Sequence, residues 1–340
     1  MSGIAYIRII IFALLSVAVL CAQKPDVQSP SANPSKTAPA DPNKFCLVIN
    51  GAGGDPVYAS QFETWTNELS ALLSSRFGFA TKHLKVLSEK SAAGMTPTAE
   101  NVKHAFAALK SELQPENALF VFFIGHGSYD GKESKFNLVG PDLSATEYAT
   151  LLTALPTKRV VVFNMSSASG EFARSLSAKG RIVITATKSG QETNATRFAG
   201  FFIEALKATD SDTDQDGHIS VLEAFVYANR LTSEFYTRAG RLATEHALLE
   251  DNGDGVGREK AENGEGLLAR ATYLDSLSYE QAAANAVTAK LLRERARLEG
   301  EIEQLIGQKA NLPEAVYETS LEKLFIELAK INRSIKQAGS

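Results

Sequence analysis

Short apolar runs alternate with longer amphipathic segments from residue 45 to about residue 235. The continuous run Ala118–Ile124 is typical of a strand that is buried on both faces. In the longer segments apolar residues recur every three or four positions, which predicts helices with one buried side. Strands that alternate with helices favour a mainly parallel sheet covered on both faces, so the predicted fold class is α/β. The predicted strands are 45–50, 83–87, 119–124, 136–139, 159–164 and 181–187.

The predicted helices follow the same alternation. One helix is expected to open at Thr96-Pro97, with Thr96 as its cap and Pro97 at its first position. The others are expected over residues 58–76, 146–155, 198–208 and 221–235. Together these elements predict one α/β domain over residues 45–275.

The composition changes to Ala, Glu, Lys, Arg and Leu from about residue 278. Apolar residues at spacings of three and four predict a C-terminal α-helical hairpin or coiled coil over 277–338, broken near Pro313. The hairpin either folds on itself or self-associates. Its seam is Leu321, Leu324, Leu328, Ile331 and Ile335, and its looser stripe is Val287, Leu291, Leu298, Ile302 and Leu305.

The first 22 residues combine one Arg with the apolar run Ile9–Leu20. This run is too short for a comfortable membrane span and matches a secretory signal peptide, so we expect a secreted or periplasmic protein without a transmembrane span in the mature chain. A lipoprotein with lipidated Cys21 is the weaker alternative, because Leu20 precedes it where a small residue is needed. The Pro-rich segment 23–44 is expected to be a disordered linker.

Composition limits the classes of protein and of partner that are compatible with this chain. Apolar residues make up 44% of the 340 residues and charged residues 22%, as in globular proteins. The net charge of −4 gives no electrostatic basis for nucleic-acid binding. Removal of the signal peptide would leave Cys46 as the sole cysteine, and its place in an apolar run predicts an inert buried thiol.

The candidate functional residues come directly after two strands that are expected to be neighbours. Gly125-His126-Gly127 comes directly after one strand, and Asn164–Gly170, which contains Ser166 and Ser167, comes directly after the next. Open α/β sheets place ligands outside the carboxyl ends of their strands. Ser167 and His126 are therefore expected to lie close together.

This arrangement resembles the caspase-like peptidases that include legumain, gingipain and the metacaspases. Asn50-Gly51-Ala52-Gly53-Gly54 after the first strand is similar to the legumain group (C13-like). In that family the second motif reads Asp-Ala-Cys-x-Ser-Gly, with the Cys as nucleophile and the His as its partner. Ser169-Gly170 match the ending, Ser167 stands in place of the Cys, and Met165 in place of the Asp. The resemblance implies a three-layer sandwich with a mainly parallel central sheet.

The Ser in place of Cys leaves two functions open. A serine hydroxyl is much harder to ionise than a thiol and needs an oriented general base, which favours a pseudo-peptidase that acts as a binding or scaffold module. The alternative is a hydrolase that uses a Ser167–His126 dyad. The N–H groups of Gly127 and Ser167 are candidate oxyanion donors for a peptide or protein ligand. Glu192 follows the strand where this family builds its side-chain pocket, and it would favour a basic group.

Residues 212–223 match the twelve-position EF-hand loop, which predicts Ca2+ binding. Gly217 stands at the turn position, and the helical patterns on both sides complete the motif. A structural clamp rather than a sensor is expected. The expected ligands are Asp212, Asp214, Asp216, the His218 carbonyl, Ser220 and Glu223. A second acidic segment, 250–255, resembles the motif but lacks a carboxylate at the last position, so an acidic turn is favoured there over the alternative, weak cation binding.

Overall fold

The computed structural model describes residues 40–90, 95–215, 217–262, 264–275, 290–291, 294–295, 297–298, 301–302, 305, 309 and 312–338. The predicted signal peptide, most of the predicted linker and the first part of the predicted hairpin lie outside these residues, as does Asp216. No helix in the described ranges is long and apolar enough to cross a lipid bilayer.

A six-stranded sheet forms the centre of the fold, in the order β2 (Leu84–Leu87), β1 (Lys44–Asn50), β3 (Ala118–Ile124), β7 (Arg159–Asn164), β8 (Arg181–Thr185) and β9 (Leu248–Glu250). Every pair in it is parallel except β8–β9, which is antiparallel. The α/β fold with a mainly parallel sheet is thus confirmed. The other described strands are β4 Gly127–Tyr129, β5 Ser134–Phe136 and β6 Leu143–Ser144.

Helices cover both faces of the sheet. The helices with described bounds are α1 Pro56–Ser75, α2 Ala99–Glu112, α3 Ala145–Thr153, α4 Glu171–Leu176, α5 Phe198–Ala205, α6 Val221–Arg238, α7 Leu267–Arg270 and α8 Glu314–Ala338. The described residues between 290 and 305 are also helical, and together with α8 they are called the C-terminal helical pair. One apolar cluster joins the sheet to α1, α5 and α6, and a second joins it to α2, α3 and α4. Alternate residues of β3 enter opposite clusters, as Phe122 and Phe123 do, because successive strand side chains point to opposite faces. The result is three layers.

Local sequence fixes where these helices begin. Asp55 caps α1 by accepting from Val57 N at 2.8 Å, and Pro56 takes the first helical position. Ser144 and Ser220 each open a capping box with the Glu three residues later, which satisfies the N–H groups at the starts of α3 and α6.

The bounds of several elements differ from the predictions, as three examples show. Thr98, not Thr96, caps α2: its hydroxyl accepts from Asn101 N at 3.2 Å, while Thr96 contributes its carbonyl to the Asn101 side chain. The strand expected at 136–139 is β5, displaced to Ser134–Phe136, and it pairs with β4 and β6 in a small antiparallel sheet directly after His126. The folded part also begins before Phe45, because the bridge Asp41–Phe79 precedes β1.

Part of the C-terminal seam packs against two residues of the looser stripe. Leu298 and Ile302, both in helical conformation, form a small core with Leu328 of α8. Leu321, Leu324 and Ile331 are partly buried against this core. Within the described residues, the two stretches that carry the predicted apolar repeats therefore contact each other.

Candidate functional site

The carboxyl ends of β3 and β7 bring the two candidate segments together. The strands pair in parallel, with Phe123 opposite Asn164, and Met165 N donates to Phe123 O at 3.0 Å just beyond the last pair. The segment after β3 therefore runs beside the segment after β7. This is the neighbourhood that the order of the strands predicts.

The Ser167 hydroxyl is engaged with the backbone of Gly127. Its Oγ accepts from Gly127 N at 3.1 Å and lies 3.2 Å from Gly127 O, to which it can donate. Ser167 is 1% exposed. Within the described ranges no hydrogen bond joins this hydroxyl to the imidazole of His126. The Gly127 N–H, a candidate oxyanion donor, is thus directed at Ser167 Oγ, whereas the Ser167 N–H has no acceptor among the described residues.

His126 lies in an aromatic corner formed by α1. Its ring meets the rings of Tyr58 and Phe62 edge-on, at centroid distances of 4.8 and 5.0 Å. Burial lowers the pKa of His126 below its ordinary value, which favours the neutral imidazole near pH 7. The sequence pattern predicted a helix over residues 58–76 and did not connect either ring to His126. The start of α1 just after β1, at the same sheet edge, was the available signal.

The loop around Ser167 is held tightly from two sides. Thr187 Oγ1 accepts from Ser169 N at 2.8 Å and from Gly170 N at 3.0 Å. Ala168 has a φ of 51°, a left-handed conformation that is uncommon for a residue with a side chain. A Cβ at Gly127 would lie 2.2 Å from Ser167 O, so only glycine permits this approach of the two backbones. The hydroxyl is therefore fixed on Gly127 by backbone packing.

Glu192 is engaged in contacts within the protein. Its carboxylate accepts from Lys188 N at 2.9 Å and from His246 N at 3.2 Å, and it also pairs with the His246 ring. Its side chain is largely buried. The structure thus gives this carboxylate protein partners and does not bring it into contact with Ser167 or His126 through any described hydrogen bond.

The predicted calcium loop brings three carboxylates together. Oxygen atoms of Asp212, Asp214 and Glu223 lie within 4.8 Å of one another. Gly217 has a φ of 89°, and its N–H donates to Asp212 Oδ2 at 2.9 Å, which closes the turn between them. A cluster of this kind fits a hard cation with oxygen ligands.

The remaining loop ligands are arranged as follows. The Ser220 hydroxyl contacts Glu223 Oε2 at 2.9 Å within the capping box of α6. His218, expected to contribute its carbonyl, uses its ring to bind Asp275 Oδ2 at 2.8 Å. Val221 N donates to Thr272 O at 2.8 Å, so residues 272–275 run alongside the end of the loop. The loop is thereby anchored on the main domain.

Sequence reasoning missed a cationic partner of the loop. The guanidinium of Arg295 forms an ion pair with Asp214 Oδ2, and the Asn332 amide donates to Asp214 O at 3.4 Å. Arg295 is 6% exposed. A cavity of about 430 Å³ adjoins this contact and is lined by residues of the loop, α6, α7 and the C-terminal helices. No local pattern could reveal a contact between residues that are 81 positions apart.

The second acidic segment is tied to the protein by its own hydrogen bonds. Asp251 accepts from Gly266 N and Ala269 N, each at 2.7 Å, and Arg258 bridges Asp254 and Glu265. Glu265 is nearly fully buried, and this burial raises its pKa to about 7. The contacts agree with the acidic turn favoured from the sequence.

Glu265 should make stability depend on pH. A carboxyl with a raised pKa in the folded state contributes stability that is present below pH 4.5 and is lost as the pH rises through about 7. Denaturant unfolding at pH 5 and pH 8 should therefore show a weaker folded state at pH 8, and Glu265→Gln should reduce this difference. Glu262→Gln, which alters an exposed carboxyl nearby, serves as the control. An unchanged pH dependence in Glu265→Gln would contradict the assignment.

Comparisons with known proteins place this geometry in context. A scan against protein-family models and a search of curated proteins both gave no match. Similar solved structures include a structural genomics target from Geobacter sulfurreducens, with 15% identity and a TM-score of 0.43, covering 62% of this chain and 95% of that one. They also include caspase-1 from Spodoptera frugiperda, with 9% identity, a TM-score of 0.39 and coverage of 63% and 88%. The Drosophila initiator caspase Dronc has 10% identity, a TM-score of 0.41 and coverage of 66% and 85%.

Proposed function

We propose that this chain is an exported, calcium-binding, legumain-type domain without peptidase activity, which binds a peptide or protein ligand. The observation that carries the proposal is the state of the Ser167 hydroxyl. It is buried, it exchanges hydrogen bonds with the Gly127 backbone at 3.1 and 3.2 Å, and it has no described hydrogen bond to His126.

A serine becomes a nucleophile when a base within hydrogen-bond reach removes its proton and a third group orients that base. The neighbours of the His126 ring are Tyr58 and Phe62, and within the described ranges no carboxylate is hydrogen-bonded to it. Hydrolysis of a peptide bond would require the Ser167 hydroxyl to break its hydrogen bonds with Gly127 and turn to the His126 imidazole. The tight approach at Gly127 opposes this movement.

Ligand binding is compatible with the same geometry. The Ser167 N–H can donate to a carbonyl or carboxylate that enters beside it. Tyr58, which contacts His126, is 36% exposed, and Val57 beside it is 73% exposed. These residues offer an apolar rim for a peptide side chain next to the polar donor.

The calcium proposal is carried by the convergence of Asp212, Asp214 and Glu223. Calcium is abundant outside the cytoplasm, and the loop would act as a structural clamp between α5 and α6 when the ion is bound. Export is proposed from the signal-peptide pattern of residues 1–22, and self-association through the C-terminal helices stays a further proposal.

Peptide turnover tests the lack of activity. The purified protein should hydrolyse a broad peptide library no faster than Ser167→Ala and His126→Ala, because none of the three has an activated nucleophile. The rates of all three should agree within error in the presence of calcium. Turnover by the unaltered protein that both variants lose would support the alternative, a hydrolase with a Ser167–His126 dyad.

A further inference from the structure

The C-terminal helices contact the calcium loop through a buried cation. Arg295 is 6% exposed, and its guanidinium lies on the carboxylate of Asp214, an expected ligand at the third loop position. Leu298 and Ile302, one and two turns further along, are buried in the small core with α8. Arg295 therefore belongs to the helical pair and not to the domain that carries the loop.

A second contact comes from the other helix of the pair. Asn332 of α8 donates to the carbonyl of Asp214 at 3.4 Å. Both C-terminal helices thus contact the same loop residue, one through its side chain and one through its backbone. Beside these contacts, Phe325 of α8 and Val226 of α6 face a shared cavity and are each 49% exposed. The apolar contact between the helical pair and the domain is therefore incomplete at this cavity, and the polar contacts at Asp214 lie beside it.

We propose that Ca2+ and Arg295 compete for Asp214, so that calcium binding releases the C-terminal helical pair from the loop. This inference rests on the calcium site proposed above. A calcium ion bound to Asp214 together with the Arg295 guanidinium would place two cations on one carboxylate, and like charges at this separation repel each other. Calcium entry therefore favours departure of Arg295, and the docking of the helical pair weakens with it.

Calcium binding and docking of the helical pair are thermodynamically linked, so the competition can be measured through either one. If docking through Arg295 lowers calcium affinity by some factor, calcium must lower docking by the same factor. Couplings between sites are typically about 5- to 150-fold. Removal of the Arg295 charge should therefore tighten calcium binding by roughly tenfold.

Calorimetric titration with CaCl2 compares the full chain with Arg295→Ala, Arg295→Gln and Arg297→Ala. Arg297 lies on the same helix but pairs with Glu294 and Glu301, so its substitution is a matched control. Both Arg295 variants should bind calcium about tenfold more tightly than the unaltered chain, and Arg297→Ala should match the unaltered chain. The Gln variant retains a polar side chain and guards against a simple packing defect.

Hydrogen exchange provides the second readout. Calcium should increase amide exchange across α8 in the unaltered chain and should leave it unchanged in Glu223→Gln, which lacks the last loop ligand. Equal calcium affinity in the unaltered and Arg295 variants would overturn the competition. If the Arg295 variants bind calcium more tightly but calcium leaves amide exchange across α8 of the unaltered chain unchanged, release of the helical pair would be overturned. Absence of calcium binding in every variant would overturn this proposal together with the calcium site.

Discussion

Millimolar calcium is expected to raise the melting temperature of this protein by about 5–16 °C. A ligand at 100 to 1,000 times its dissociation constant stabilises the folded state by about 3–4 kcal/mol, and about 2–4 °C per kcal/mol is typical of domains of this size. The oxygen atoms of Asp212, Asp214 and Glu223 already lie within 4.8 Å of one another, so little rearrangement of the loop backbone is needed. Thermal melting with calcium and with a chelator measures the shift.

The matched variants for this experiment lie on α6. Glu223→Gln removes the charge of the last ligand but preserves the capping box with Ser220, because Gln serves there as well as Glu. It should fold normally and lose most of the shift. Glu234→Gln, which alters a partly exposed carboxylate further along the helix, should keep the full shift. A shift of equal size in Glu223→Gln, or no shift in the unaltered protein, would contradict the calcium proposal.

Phe163→Ala is expected to lower the free energy of unfolding by about 3–5 kcal/mol, the usual cost of removing a buried aromatic ring. Phe163 is fully buried in β7, and its ring stacks on Phe122 of β3 at 4.6 Å with an interplanar angle of 4°. Its ring centroid also lies 4.8 Å from that of Phe202 of α5. The substitution leaves a cavity between the two strands whose ends carry His126 and Ser167. Urea unfolding measures the loss.

Phe325→Ala is the control for this substitution, because its ring is 49% exposed on α8 and little packing is lost. Its effect should stay within about 0.5 kcal/mol, as is usual for surface positions. A loss below about 1 kcal/mol in Phe163→Ala would show that the β3–β7 contact is not the rigid core that the stacked rings indicate.

Long apolar runs allowed most of the central sheet to be predicted from sequence. Arg159–Asn164 was predicted with the observed bounds, and β3 differs by one residue, because continuous apolar residues have no other stable location. Strands of two or three residues, such as β6 and β9, carry too short a pattern to be detected. The start of α2 was misplaced because Thr96 and Thr98 both satisfy the local preference for a cap.

The candidate site was predictable to the level of segments but not of atoms. The order of β3 and β7 places Ser167 beside the His126 segment, as expected. The hydrogen-bond partner of the Ser167 hydroxyl depends on the left-handed conformation of Ala168 and on the close backbone approach at Gly127. Both features arise only in the packed structure. The contact of Arg295 with Asp214 depends in the same way on the docking of distant helices.

A serine-directed fluorophosphonate probe tests the central claim most directly, because it labels only a serine that a base has activated. The unaltered protein and Ser167→Ala should both remain unlabelled with calcium present, since the Ser167 hydroxyl is held on the Gly127 backbone. Labelling of the unaltered protein that disappears in Ser167→Ala and in His126→Ala would contradict the account and establish an active Ser167–His126 dyad.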